Sequence, residues 1–391
     1  MIDNSVRILR IAYENMPMFK GEKFEVNFMA TDRVSEPAQV FHIDKSIYTQ
    51  KIVSLAGINA SGKTSSLKLI YLAMSVVLDN ISLNDTTMYG REFISDGTRL
   101  TIDFHHKEKF YELQSIIRVR GADELDQVEL YFDDEWLYCK DRTKVHSKKD
   151  ALKPGELIRQ RSAMPEEARS VLKDDDSIVI TITRDNTTGL YQMLPYTDVN
   201  VLTATGSLPV TALHVFDSNL DMLKVDKTEK GASYQVKFKD WDEPVIVHSP
   251  LQLSGMISSG TIKGQNLLFY IKRILKTGGY MIVDELENHL NKELVRMITN
   301  IFKDERINRH GACLIFSTHY VELLDFVDRK DNIFITRKAP ETPDRIEILN
   351  YADEVHRNDV KKSEVLLSNY IQGTAPRYAD IQALEDSLCE E

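Results

Sequence analysis

Residues 51–70 read KIVSLAGINASGKTSSLKLI, and within them Gly57-Ile58-Asn59-Ala60-Ser61-Gly62-Lys63-Thr64 spells G-x-x-x-x-G-K-T. The run before it, Ile52 to Ala56, is short and apolar, as a buried parallel strand is. After it, Leu67, Ile70, Met74 and Val77 recur at helical spacing. Strand, glycine loop and helix in that order is the context in which the motif carries meaning. Two glycines let the backbone wrap a phosphate while the amides of the loop and helix start point at the anion. Lys63 then reaches the outer phosphates and Thr64 offers a hydroxyl to Mg²⁺. The expected nucleotide contacts are Gly57, Asn59, Ala60, Ser61, Gly62, Lys63, Thr64 and Ser65.

The rest of the chain is compatible with such a centre. Its 391 residues allow one large domain or two ordinary ones, and 42% hydrophobic with 28% charged residues is ordinary for a globular protein. No apolar run approaches the ~18 residues of a membrane span, and the N-terminus has no signal-peptide core. Three widely spaced cysteines, Cys139, Cys313 and Cys389, fit a reducing compartment rather than a disulfide framework. A cytoplasmic location is expected. With a net charge of −11, nucleic acid would have to meet a local basic patch.

Upstream of the loop, Val6–Ile11 and Lys23–Phe28 read as strands, joined by a turn-rich stretch. Downstream, Leu100–Phe104 and Phe110–Val119 alternate, and Asp126–Tyr138 reads as a strand pair turning at Asp133-Asp134. Antiparallel strands around a glycine loop predict a sheet that is part antiparallel and part parallel. From Lys140 to Arg161 there are eight Lys/Arg and three Asp/Glu, so 8 − 3 = +5 on an acidic chain. Such runs usually only solvate a surface, and no aromatic falls among them, so nucleic-acid contact there is the sharper, less favoured reading. Residues 163–172 look helical, Ser177–Thr183 reads as a strand, Asp217–Asp221 as a helix start, and Tyr234–Lys239 as a strand.

A second constellation lies further on. Tyr280-Met281-Ile282-Val283 is an apolar strand that delivers Asp284 and Glu285 at its C-terminal end, where sites in open α/β sheets lie. The first carboxylate suits a Mg²⁺ ligand and the second a base for the attacking water. Cys313–Phe316 is another apolar strand, ending in Ser317-Thr318-His319. Ile257-Ser258-Ser259-Gly260-Thr261 opens a helix and offers a second anion site. Two phosphate sites in one chain make sense when two chains complete each other's nucleotide.

This combination resembles the ABC-type ATPases, in the branch with the chromosome-maintenance (SMC), recombination (RecF) and overcoming-lysogenization-defect proteins. It is most similar to the AAA-labelled ATPases of bacterial abortive-infection and antiphage systems. The resemblance rests on the Walker A stretch 57–64, Walker B 280–285, the signature 257–261, DELEN at 284–288, STH at 317–319 and the tail Asn369-Tyr370-Ile371-Gln372-Gly373. It implies ATP and Mg²⁺, with Ser258, Ser259 and Gly260 on the nucleotide, Thr64 and Asp284 on the metal, and Glu285 and His319 in catalysis. It further implies a homodimer with composite sites, or a higher assembly. Gln114 is the candidate for the family's lid glutamine. The sequence departs from the family where Leu290 is followed by Asn291 and Lys292.

The expected fold is therefore α/β: an ABC-type head with a P-loop, mixed parallel and antiparallel sheets, and an inserted, partly helical segment. The expected divisions are an N-terminal lobe over 1–139, the insertion over 140–245, and a C-terminal lobe over 246–391. No coiled-coil arms and no nuclease cluster are evident, so a separate effector, a nuclease or toxin, is the expected partner. A DNA-repair ATPase and an ATP-binding scaffold with little turnover are the rival readings. A transporter subunit is disfavoured by the SSGT signature.

Overall fold

The computed structural model of the chain describes residues 4–121, 128–197, 199, 201–228, 231–357, 360–375 and 378–389. The first strands are β1 (Val6–Glu14), β2 (Lys23–Asn27), β3 (Val40–Asp44), β4 (Ile47–Gln50) and β5 (Ile52–Ala56). Helix α1 (Lys63–Met74) follows the glycine loop and widens into a π-helical turn at Ser75–Asp79. Next come β6 (Thr98–His106), β7 (Lys109–Arg120), β8 (Glu129–Asp141) and β9 (Glu156–Gln160). Helix α2 (Glu166–Val171) precedes β10 (Gly189–Gln192). Strands β11 (Gly206–Ser207), β12 (Leu220–Thr228), β13 (Gly231–Phe238) and β14 (Val245–Val247) follow. The last part carries α3 (Ser259–Thr277), β15 (Gly279–Val283), α4 (Lys292–Lys303), β16 (Cys313–Thr318), β17 (Ile333–Ala339) and β18 (Thr342–Asn350). Two further helices are α5 (Lys362–Leu367) and α6 (Tyr378–Cys389).

Two sheets organise the molecule. One is antiparallel, in the order β2-β1-β6-β7-β8-β9. The other runs β10-β15-β16-β5-β17-β18, parallel except for β18. Every residue of β5, β15 and β16 is buried, which is why these strands read as unbroken apolar runs rather than alternating ones. One core joins β1, β6, β7 and α1 to one face of the parallel sheet, through residues such as Ile11, Leu55, Ile70 and Ile315. On the other face Leu267 and Ile271 of α3 and Val295, Ile298 and Phe302 of α4 pack against Leu314 and Phe316. A four-stranded antiparallel sheet, β11-β12-β13-β14, has a smaller core of its own with Leu253, Ile257 and Ile262.

The fold class expected from the sequence is the one observed, an α/β P-loop fold with mixed parallel and antiparallel sheets. Among the described residues no helix is long and apolar enough to cross a membrane. Residues 140–245 are divided among three sheets: β9 extends the antiparallel sheet, β10 the parallel one, and β11–β14 form the third.

Several local expectations are corrected. Asp133-Asp134 is no turn, because β8 runs straight through it. Ile116 faces Asp134 and Ile117 faces Phe132, so Asp133 is the extra residue of a bulge. The expected start of that pair, Asp126 and Gln127, lies outside the described residues. Ser177–Thr183 is a helical turn rather than a strand. The fully buried Glu135 accepts from Ser177 Oγ (2.6 Å) and Ile178 N (2.9 Å), and Thr181 Oγ1 donates back to Ile178 O, so side chains take what a strand partner would supply. At Asp217 the carboxylate accepts from Asn219 N at 2.9 Å, a turn shared by helix starts and loops, and the chain leaves it as β12.

Candidate functional site

Parallel strands share one direction, so β10, β15, β16 and β5 bring Gln192, Asp284, His319 and the glycine loop to one edge of the sheet. Gly62 has a φ of +97°, and a Cβ there would lie 2.4 Å from Ile346 Cδ1, so the position is closed to other residues. Ala60 adopts a left-handed φ of +58° without being glycine. Ser61 Oγ lies 2.8 Å from Thr336 Oγ1, which ties the loop to β17.

Lys63 is almost fully buried, and its ammonium donates to the carbonyls of Gly57 (2.9 Å) and Ile58 (3.0 Å). Burial lowers its pKa, against the opposing pull of Glu285, Asp284 and Glu287. Thr64 Oγ1 donates to Asp284 Oδ2 at 2.7 Å, and Ser317 Oγ donates to Asp284 Oδ1. The same Ser317 hydroxyl accepts from Glu285 N at 2.8 Å. Asp284 is thus held between hydroxyls from α1 and β16, with both oxygens engaged.

Glu285 has a φ of +46°, a left-handed conformation in a residue that ordinarily avoids it. Its carbonyl accepts from Lys263 Nζ of α3 at 2.7 Å. Glu287 was not singled out from the sequence. It is buried, its Oε1 accepts from His319 N at 2.9 Å, and the same oxygen lies 3.4 Å from His319 Nδ1. His319 Nδ1 is also 3.8 Å from Glu285 Oε1. The third acidic residue of DELEN was the available signal, hidden because acidic residues are common at helix approaches.

The signature residues open α3. Ser258 Oγ caps the helix, accepting from Thr261 N at 3.1 Å, and Ser259 and Gly260 are partly exposed. A Cβ on Gly260 would lie 2.6 Å from the His289 carbonyl, so the signature packs against the end of the DELEN stretch of its own chain. Asn291, where the sequence departs from the family, caps α4 by accepting from Leu294 N at 2.9 Å.

Gln114 is not brought to this site. It sits on β7 opposite Thr101 and Trp136, where its amide donates to Glu112. Gln192, missed from the sequence, ends β10 beside the carboxylate strand, and its Oε1 accepts from Leu194 N at 2.7 Å. Nothing local marks it, because its position follows only from strand order.

The basic run at 140–161 is mostly spent inside the chain. Lys140 donates to the carbonyls of Asp150 and Lys153, and Arg142 pairs with Glu108. Lys144 meets Glu156, Lys148 the carbonyls of Thr31 and Asp32, and Lys153 Asp150. Arg161 pairs with buried Glu135 at 3.0 Å. Lys149 and Arg159 are the two with neither an ion pair nor a side-chain hydrogen bond among the described residues.

No family model and no curated protein matches the sequence. Among solved structures, the chain is similar to CbiO1 from Clostridium perfringens, described as part of the ABC transporter complex CbiONQ. That likeness has 12% identity, a TM-score of 0.31, and coverage of 98% of this chain and 99% of that one.

Proposed function

We propose that the chain is an ABC-type ATPase that binds and hydrolyses ATP, dimerises on it, and controls a separate effector in antiphage defence. The observation that carries the ATPase reading is Asp284 held between the Thr64 and Ser317 hydroxyls, with Glu285 and His319 beside it. A hydroxyl and a carboxylate are the hard oxygen donors that Mg²⁺ takes, with phosphates and water completing its shell. Thr64 and Asp284 would hold the ion, which when bound neutralises charge between the outer phosphates. Lys63 would exchange its two loop carbonyls for phosphate oxygens. Glu285 would take the proton of the attacking water, His319 would steady the γ-phosphate, and the Gln192 amide would complete the water's position.

The composite dimer rests on the exposed ends of Ser258, Ser259 and Gly260, which are free to meet a second copy's nucleotide. The effector and the defence role rest on the family resemblance. The tail supports them, since Tyr370 is 72% and Leu367 59% exposed on it. The DNA-repair reading loses its main support, because the basic run is largely paired.

The experiment combines binding and mixing. Lys63→Ala should abolish ATP binding, and unchanged affinity would sink the P-loop reading. For the dimer, Ser259→Glu is the better signature variant, since a side chain at Gly260 would collide with its own His289 carbonyl. Mixing Lys63→Ala chains with Ser259→Glu chains places both defects at one composite site and leaves the other intact. Recovery of part of the turnover is expected; none at any ratio, with heterodimers demonstrated, would refute shared sites.

A further inference from the structure

The antiparallel sheet has a second charged centre, remote from the glycine loop. Strand register sets Arg10, Asp103, Glu112 and Tyr138 in one row across β1, β6, β7 and β8, and Ala12, Thr101, Gln114 and Trp136 in the next. Ile11, Ile102 and Leu113 between these rows belong to the core, so both rows face away from α1. Apart from the fully buried Asp103, they line a cleft of about 560 Å³.

Its hydrogen bonds do not close. Asp103 is 0% and Glu112 5% exposed, yet Asp103 Oδ1 and Glu112 Oε2 accept no hydrogen bond. Arg10 Nε is spent on the other Asp103 oxygen at 2.8 Å, and Gln114 on the other Glu112 oxygen. Lys23 is held by Glu14 at 2.7 Å, and Lys140, on the neighbouring strand, by the Asp150 and Lys153 carbonyls. The cleft is lined by three carboxylates, Glu14, Glu25 and Glu112, and three cations, Arg10, Lys23 and Arg99, none of which donates to Glu112 Oε2. A buried carboxylate oxygen without a donor is costly, and proteins keep such oxygens where something else supplies the donor.

We propose that this cleft binds an alkylammonium group, with Glu112 as its acceptor and the rings of Trp136 and Tyr138 in the wall. An ammonium carries donors for the orphan Glu112 oxygen, its stem suits Ala12, and aromatic faces attract it. Burial pushes the neighbouring Asp103 carboxyl up to about 7 despite Arg10. Two sources share this chemistry: a free polyamine, and a lysine side chain of a partner protein. The inference is independent of the ATPase reading.

The chain has two tryptophans, Trp136 and Trp241, so Trp241→Phe leaves the cleft indole as the sole reporter. Titrating that full-length variant with spermidine, and separately with an acetylated, amidated lysine peptide, should change Trp136 emission saturably. Glu112→Gln should weaken the response roughly tenfold or more, as loss of a charged acceptor does. Glu14→Gln, at the rim and spent on Lys23, should leave it within about twofold. Thermal melting separates binding from folding. Glu112→Gln should melt no lower than its parent, since an orphan buried charge is gone, and should lose the amine-induced rise in Tm. Saturation by spermidine assigns the free amine, and saturation by the peptide alone assigns a partner's lysine. No saturable response to either by about 10 mM, weaker than any useful site, or an equal response in Glu112→Gln, overturns the proposal.

Discussion

The stretch 284–319 and the stretch 140–161 are both rich in charge, and they use it in opposite ways. Around Asp284 the ionisable groups Lys63, Glu285, Glu287 and His319 converge on one sheet edge, with Glu285 and His319 each about a third exposed. Along 140–161, six of eight cations are consumed one by one by carbonyls and carboxylates of the same chain. Charge counted along a sequence is therefore a poor guide to charge offered to a ligand. What matters is whether topology collects it or pairs it off.

The sharpest way to break this comparison is at Glu285. Glu285→Gln keeps the shape and removes the base, so single-turnover hydrolysis should fall by about 10²–10⁴-fold while ATP affinity holds. A drop below about tenfold would make the converging carboxylates a binding feature only, no different in kind from the paired run.

Next in size is Arg161, whose side chain is only 11% exposed. Its guanidinium meets Glu135, which also takes Ser115, Ser177 and Ile178 as donors. Arg161→Met should destabilise by about 3–5 kcal/mol in urea unfolding, because it leaves a buried charge with less compensation. Loss of nucleic-acid binding without loss of stability would reverse the reading of that stretch. Lys149→Glu with Arg159→Glu is the counterpart, touching only the cations with no side-chain partner among the described residues. Stability should stay within about 0.5 kcal/mol. Retention on a phosphate-rich matrix at low salt should also be unchanged, and a clear loss would restore a nucleic-acid contact.

The same contrast explains what the sequence could reveal. The glycine loop, Asp284-Glu285 and Ser317-Thr318-His319 were legible because each motif is contiguous and sits at the end of an apolar run. Fold class followed from them, since buried parallel strands leave that pattern. Gln192 and Glu287 were not legible: one acquires its place only from the order β10-β15-β16, the other only from the return of His319 across the sheet. Ser177–Thr183 misled because β-branched residues favour strands until a buried carboxylate such as Glu135 captures their amides. Asp133-Asp134 misled because a bulge and a turn draw on the same residues.

A last, small effect is expected in the glycine loop itself. Ala60 holds a φ of +58°, where an L side chain is crowded against its own carbonyl and a glycine is not. The loop tolerates it because Lys63 bonds the carbonyls of Gly57 and Ile58, and Ser61 bonds Thr336, fixing both flanks. Ala60→Gly removes the crowding but gives the unfolded chain more freedom to lose, and the two terms oppose each other. Relief of a left-handed alanine is about 1–2 kcal/mol and the entropic loss about 0.4–1 kcal/mol, so a net gain between about 0 and 1.6 kcal/mol is expected in urea unfolding. A loss of stability would mean that the Ala60 methyl makes packing contacts worth more than its strain. ATP affinity should change less than threefold, roughly, because the phosphate contacts come from backbone amides and Lys63 rather than from that methyl.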